Sequence, residues 1–199
     1  VGSVPKVVEA TPDNKYVLAA NWCSYTVSVI SVDAQKVVKT IKIGRYPRGI
    51  AISNDSKLAY VAEMGGNRIH VINLEDFTVS YIPIGSNPRA IVLSPDNTKM
   101  YVTMNLSGKV ASWDLVANEA GKSVKTGEAA RSLAISSDGT AMFVVNFKSN
   151  TMSKVRTSDM KVLETFRACN EPIGVTYDTP TGNTWVACYK GQIKIYSNN

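Results

Sequence analysis

A period of about 42 residues runs through the chain and constrains its fold more than any other feature of the sequence. Its clearest mark is a short segment that recurs at intervals of 42, 41, 42 and 42 residues. The five copies are Val4-Pro5-Lys6, Tyr46-Pro47-Arg48, Asn87-Pro88-Arg89, Ala129-Ala130-Arg131 and Glu171-Pro172-Ile173. Self-similarity of this length indicates a repeat architecture, because each repeat is a unit that cannot bury its apolar faces alone.

Each repeat divides into short apolar stretches separated by turn residues, which predicts four β-strands per repeat. In the second repeat the first three stretches are residues 49–53, 60–62 and 68–72, and the first turn is Ser53-Asn54-Asp55-Ser56. Ser, Asn and Asp favour tight turns, whereas Val, Ile and Tyr favour strands. The fourth stretch is clearest at residues 36–43 of the first repeat. No stretch has the sustained 3.6-residue apolar period of a long helix.

Four-stranded units of about 40 residues are typical of a β-propeller. We therefore predict an all-β fold, a β-propeller of four-stranded antiparallel blades, with four complete repeats and a three-stranded last blade. Stacking such sheets face to face buries both faces of each one. The repeats form one domain, with approximate bounds at 1–44, 45–85, 86–127, 128–169 and 170–199.

Several segments carry a more specific resemblance. Residues 20–30, together with Tyr60-Val61-Ala62-Glu63 and Tyr101-Val102-Thr103-Met104, resemble the YVTN β-propeller repeat. Its usual form is Tyr-Val-Thr-Asn, then a small polar loop, then Thr-Val-Ser-Val-Ile, and the resemblance extends over essentially the whole chain. It implies the propeller fold but no particular activity. Because YVTN proteins are largely periplasmic, secreted or surface-layer components of prokaryotes, the resemblance also implies an extracytoplasmic location.

The first and last repeats differ from the others. Val1-Gly2-Ser3-Val4-Pro5 aligns with residues 84–88, which end a fourth strand, and no fourth strand follows residues 192–196. Since an open sheet edge invites pairing, propellers often close with a strand from the other terminus. We expect natural sequence before Val1, either one strand that closes five blades or further blades. The alternative is a last blade of only three strands.

The recurring segments place cations at the start of four of the five first strands. In a propeller, the links between blades and the loops between second and third strands share one face, so these cations form an arc at one channel mouth. Guanidinium groups bind carboxylate, sulfate or phosphate, and nearby aromatic rings suit sugars, acidic glycans or an extended peptide. The predicted ligand-binding residues are Lys6, Arg48, Arg89, Arg131, Trp22, Tyr46 and Tyr189. In the competing interpretation each Arg only pairs with backbone carbonyls or with Glu63.

The sequence offers little for catalysis or metal binding. His70 is the one histidine, it lies in a third strand, and no Asp or Glu is clearly placed to orient it. The recurring aspartates Asp13, Asp55, Asp96 and Asp138 follow a turn pattern, so we expect them to cap turns rather than to act in catalysis. We predict no metal, no cofactor and no catalytic residue within this chain.

Cysteine usage and charge add two expectations. Cys169 and Cys188 fall toward the same face of the last repeat, so a disulfide between them is possible, and the odd count, with Cys23 in a loop of the first repeat, leaves at least one thiol free unless further cysteines lie upstream. The net charge of +6 comes from Lys and Arg scattered over the outer strands. This pattern is typical of a solvated rim and argues against a nucleic-acid partner. No apolar run has the roughly 20 residues of a membrane-spanning helix, so membrane insertion is not expected.

Three functions compete. The leading prediction is a non-catalytic binding or scaffolding propeller whose loop face holds an anionic ligand, an acidic glycan, a peptide or a protein. The first alternative is an enzyme of the propeller lactonase or quinoprotein-dehydrogenase type, with most catalytic residues upstream of this chain. The second alternative is a purely structural cell-surface repeat that binds no small ligand.

Overall fold

The computed structural model describes residues 1–197, which form nineteen strands in five sheets. Sheet A contains β1 (Pro5–Ala10), β2 (Tyr16–Asn21), β3 (Thr26–Ser31) and β4 (Lys36–Lys42). Sheet B contains β5 (Pro47–Ile52), β6 (Leu58–Glu63), β7 (Arg68–Asn73) and β8 (Val79–Pro83). Sheet C contains β9 (Pro88–Leu93), β10 (Lys99–Met104), β11 (Lys109–Asp114) and β12 (Glu119–Lys125). Sheet D contains β13 (Ala130–Ile135), β14 (Ala141–Asn146), β15 (Thr151–Arg156) and β16 (Lys161–Arg167), and sheet E contains β17 (Pro172–Asp178), β18 (Asn183–Cys188) and β19 (Gln192–Tyr196).

The sheets are blades of the β-propeller type. In each one the strands lie side by side in chain order, and sheet E has three strands where the others have four. This confirms the predicted all-β class, the four-stranded antiparallel blade and the shorter last blade. The expectation of strands or blades outside residues 1–199 stays a prediction. Within residues 1–197 no helix has the length and apolar character that a membrane span requires.

The turn between the first two strands follows one design in sheets A to D. In sheet C, Ser94 Oγ donates to Asp96 Oδ1 at 2.5 Å, and the same carboxylate oxygen accepts from Thr98 N at 3.1 Å. The residue after the aspartate has positive φ, and glycine or asparagine occupies it in three of the four sheets, as the left-handed region favours. These contacts confirm that the recurring aspartates cap turns.

The link before each first strand also repeats. Its last residue has φ between 54° and 60° in all five copies: Val4, Tyr46, Asn87, Ala129 and Glu171. The strand pairing then shifts register immediately afterwards in sheets A, B, D and E. An irregularity of this kind is a β-bulge, which turns a side chain out of the regular alternation. Lys6, Arg48, Arg131 and Ile173 lie at these bulges.

Two compact units divide the chain, the first comprising Val1–Ile91 and the second beginning at Val92. The core of the first unit consists of apolar side chains from sheets A and B, among them Leu18, Val27 and Ile50. In the second unit, Phe143, Met152 and Val186 form a core between sheets D and E. In both units the buried side chains lie on faces where one sheet packs on the next, as the repeat predicts.

Candidate functional site

The link before each sheet lies beside the loop between that sheet's second and third strands. Met64 N donates to Tyr46 O at 3.1 Å in sheet B, and Phe147 N donates to Ala129 O at 3.1 Å in sheet D. Equivalent bonds occur in sheets A and E. Links and loops therefore form one surface within each of these sheets, the loop face, as predicted. The bulge residues follow these links directly along the chain.

An aromatic cluster occupies the loop face of the first unit. The rings of Trp22 and Tyr46 stack with centroids 4.8 Å apart, and Tyr25 packs edge-on against Tyr46 at 5.5 Å. Arg48 Cζ lies over the Trp22 ring, 5.4 Å from its centroid. Hydrogen bonding to the Tyr46 side chain raises the pKa of Tyr25. We call Trp22, Tyr25, Tyr46 and Arg48 the platform.

The other two predicted cations of the first unit differ in their surroundings. Arg89 is only 6% exposed, and its Nη1 lies 3.4 Å from the Met64 sulfur. It therefore offers little surface to a ligand, which favours a packing role at this position. Lys6 is exposed at the start of β1.

In the second unit, Arg131 lies over an aromatic ring of its own sheet. Its Cζ is 4.5 Å from the Phe147 ring centroid. Burial lowers the pKa of the Arg131 guanidinium, and the charges of Tyr189 and Glu171 oppose that shift. Tyr189 is 67% exposed. Within residues 1–197, a link arginine thus lies over a loop aromatic ring in each unit, and cation–π attraction favours the contact in both.

Sheet B holds a charged cluster that the sequence analysis missed. Glu63 Oε2 lies 3.0 Å from His70 Nε2 and 3.5 Å from Arg68 Nε, and Glu63 Oε1 accepts a hydrogen bond from Arg45 N at 3.2 Å. The Glu63 and His70 side chains are each 13% exposed. The expectation that no carboxylate orients His70 was therefore wrong: Glu63, seven residues earlier, reaches it from the end of the neighbouring strand.

The repeat itself contains the signal that would have found this cluster. In sheet A, Asn21 Nδ2 donates to Thr26 Oγ1 at 3.1 Å and to Ser28 Oγ at 3.0 Å. In sheet D, Asn146 makes the same pair of bonds to the residues five and seven positions later. Glu63, Arg68 and His70 occupy these three positions in sheet B. Reading the repeats position by position, rather than searching for known motifs, predicts that the three side chains meet.

Sheet E replaces the same contact with a covalent bond. The residue 19 positions before Asn21, Glu63 or Asn146 is a glycine, and a Cβ there would collide with the Asn or Glu side chain. In sheet E these two positions are Cys169 and Cys188, which form a disulfide with Cα atoms 6.0 Å apart. Cys23, in the loop of sheet A, is exposed and unpaired.

Two further features bear on what the loop face can hold. Residues 1–197 contain no group of three or more His, Cys, Asp or Glu side chains arranged to hold a metal ion.

The loop face of the second unit has a cleft of about 380 Å³ whose lining includes Lys125, Lys148 and Glu128. Its charged lining suits a small polar ligand better than an apolar one.

Comparisons with known proteins support the fold. No family model matches the sequence. The chain is 30% identical over 152 residues to Antigen Lp49 of Leptospira interrogans, which covers 72% of this chain and 33% of that protein. It is 31% identical over 91 residues to Lactonase drp35 of Staphylococcus haemolyticus, covering 41% of this chain and 28% of that one. The chain thus spans about a third of the length of these curated relatives.

Among solved structures, hydrazine synthase of Kuenenia stuttgartiensis superposes with a TM-score of 0.81. The match covers 98% of this chain and 66% of that one at 18% sequence identity. Such a likeness shows the fold alone. Together the comparisons support a β-propeller repeat protein.

Proposed function

We propose that the chain is a binding module whose platform holds a carboxylate-bearing ligand, best an acidic oligosaccharide. The observation that carries the proposal is the packing of Arg48 over Trp22, itself stacked on Tyr46. An arginine beside stacked aromatic rings suits a carboxylate-bearing sugar, because guanidinium groups bind carboxylates and the rings offer an apolar surface to the sugar. The hydroxyl groups of Tyr25 and Tyr46 add hydrogen-bonding partners for a sugar.

Rigidity supports this function. Tyr46 has φ of 59°, in the left-handed region that residues other than glycine seldom adopt, and the register shift at Arg48 fixes that side chain at the edge of β5. The same positive φ occurs in all five links, so the platform rests on a backbone turn that the repeat defines. A platform that is ordered before binding loses little conformational entropy when a ligand arrives.

The test is a titration of the protein with galacturonate oligomers, in which calorimetry and tryptophan fluorescence measure binding. Arg48→Ser is expected to weaken binding by about tenfold or more, the equivalent of about 1.4 kcal/mol. Lys39→Ser, which removes a charge from the exposed outer strand β4, is the matched control and leaves affinity unchanged. Neutral galactose oligomers do not bind, because they lack the carboxylate.

Two outcomes would count against the proposal. Equal losses in Arg48→Ser and Lys39→Ser would mean that net charge attracts the ligand and that the platform does not recognise it. Failure of the parent protein to bind the oligomers, while an acidic peptide binds, would reassign the ligand class. Failure to bind either would favour a purely structural cell-surface repeat.

A hydrolytic function is the second candidate, because Glu63 lies within hydrogen-bond reach of His70 and one relative is a lactonase. A histidine paired with a carboxylate can accept and return a proton at a reacting centre. Lactone hydrolysis measured by pH-stat, with and without added divalent cations, tests it. His70→Asn abolishes that activity if the pair is catalytic and leaves it unchanged otherwise.

The family and the location of the protein are part of the proposal. The resemblance of the repeat sequences to the YVTN repeat supports membership of the YVTN family. The Cys169–Cys188 disulfide supports an extracytoplasmic location, since such bonds persist in oxidising compartments. Detection of the protein in periplasmic or culture-supernatant fractions of cells that express the natural gene would test the location.

A further inference from the structure

Sheet E leaves bare an apolar face that is covered in other sheets. Trp185 pairs with Ile195, and Ala187 pairs with Ile193, so their side chains share one side of the sheet. Trp185 is 37% exposed, Ile195 53% and Ile193 69%. Large apolar side chains that adjoin one another on a surface mark an interaction site. We call Trp185, Ile193 and Ile195 the end face.

The repeat shows how unusual this exposure is. The position of Trp185 is occupied by Leu18 in sheet A, Tyr101 in sheet C and Phe143 in sheet D, which are 0%, 2% and 1% exposed. The position of Ile193 is occupied by Val27, Val110 and Met152, all 0% exposed. The end face is therefore the continuation of a surface that other sheets bury completely.

The D–E pair shows what covers such a surface. The ring of Tyr177, from the first strand of sheet E, stacks on Phe143 at 5.8 Å. Val175, on the same side of that strand, packs against the same core. The covering element is thus the first strand of the following sheet, with an apolar residue at each of these two positions.

The first strand of sheet A presents those two positions uncovered. Val8 stands where sheet E has Val175, and Ala10 stands where it has Tyr177. Val8 is 62% exposed, whereas its equivalents Ile50 and Leu133 are 4% and 5% exposed. We call Val8 and Ala10 the start face.

The sizes of the residues on the two faces differ from those of the D–E pair in opposite directions. Trp185 is larger than the Phe143 that it replaces, and Ala10 is smaller than the Tyr177 that it replaces. The larger Trp185 therefore offsets part of the volume that the smaller Ala10 leaves between two sheets, in the direction that close packing requires.

Because these apolar positions are the ones that pack together between sheets D and E, we propose that the end face of one copy of the chain docks on the start face of a second copy. The first strand of the second copy then takes the place on sheet E that β17 has on sheet D. Because each copy uses a different surface at the contact, the association is head-to-tail. This contact between copies has the same form as the packing of sheet E on sheet D within one chain.

Sedimentation of the purified chain over a wide concentration range tests the proposal. The parent protein is expected to form dimers and larger species as concentration rises. Ile193→Glu and Val8→Glu should each remain monomeric, and because both side chains are exposed in the single chain, neither change should impair folding. Val116→Glu, at a residue 78% exposed outside both faces, is the control and associates like the parent.

Mixing the two variants distinguishes this contact from others. Val8→Glu keeps an intact end face and Ile193→Glu an intact start face, so the mixture should form dimers and stop there. Self-association of Val8→Glu alone would overturn the proposal, because the end face would then bind its own copy. A parent protein that stays monomeric at every concentration would also overturn it, as expected if a further repeat of a longer chain covers the end face.

Discussion

Glu63 takes a position that belongs to asparagine in sheets A and D, and the exchange makes a neutral network charged. The asparagine donates to two hydroxyl groups, whereas Glu63 accepts from its neighbours and faces His70 and Arg68. Removing the carboxylate leaves two partly buried basic groups without their acceptor. Such unsatisfied groups cost more than the hydrogen bond itself contributes.

Rebuilding the neutral side chains of sheet A in sheet B shows whether the three charged residues act together or Glu63 acts alone. Glu63→Asn alone is expected to lower the free energy of unfolding by about 1–2 kcal/mol. The triple change Glu63→Asn, Arg68→Thr and His70→Ser rebuilds the arrangement of sheet A and should recover most of that loss. Urea denaturation at neutral pH measures both variants. Equal stability of the single and triple variants would show that the three side chains do not act together.

Residue identity predicts some of the site but not the contacts that define it. Trp22, Tyr46 and Arg48 could be placed on one face because the period fixes their positions along the repeat. The sequence could not show that Arg89 is buried against Met64 while Arg48 lies over a ring. That difference depends on which neighbouring loop residue fills the space, and a pattern of charges does not specify it.

Strands and turns were the most predictable elements. Alternating apolar residues predicted the order of the strands, and a Ser-x-Asp or Thr-x-Asp turn marked the first hairpin of sheets A to D, because both signals are local. The bulges at Lys6, Arg48, Arg131 and Ile173 could not be predicted, since they depend on pairing between strands. Nor could the positive φ of Tyr25, Gln35, Phe77 and Met160, which are not residues that favour it. Tertiary context overrides local preference at those loop positions.

The disulfide of sheet E gives a prediction for that element. The double change Cys169→Ser and Cys188→Ser opens a loop closed across 19 positions, for which chain entropy predicts a loss of about 3 kcal/mol. Thermal and urea denaturation measure the loss, and Cys23→Ser is the control, because that thiol is exposed and unpaired. A loss confined to the signal of Trp185 would indicate that sheet E unfolds by itself, whereas unchanged stability would contradict the prediction.

Across the whole molecule, the turn aspartates link stability to pH as a set. The pKa values of Asp13, Asp55, Asp96 and Asp138 all lie below the ordinary value, and the largest cause in each is the hydrogen bond from the Ser or Thr two positions earlier. For Asp96 the pKa falls to about 2. These carboxylates are exposed, so the effect of each is modest. Sheets A to D each contribute one, and all four pKa values are shifted in the same direction.

The sign of the linkage follows from the direction of these shifts. A carboxylate whose pKa is lower in the folded chain than in the unfolded chain stabilises the fold above its unfolded pKa of about 4. This contribution is lost as the pH falls through the folded pKa, which for Asp96 is about 2. The melting temperature should therefore change little near neutral pH and fall steeply below pH 4. Asp96→Asn should melt lower than the parent at neutral pH and lose less on acidification, because it has one carboxylate fewer to protonate. Ser94→Ala, which removes the largest cause of the Asp96 shift, should act in the same direction. If both variants gave pH profiles parallel to that of the parent, the turn hydrogen bonds would not be the source of acid sensitivity.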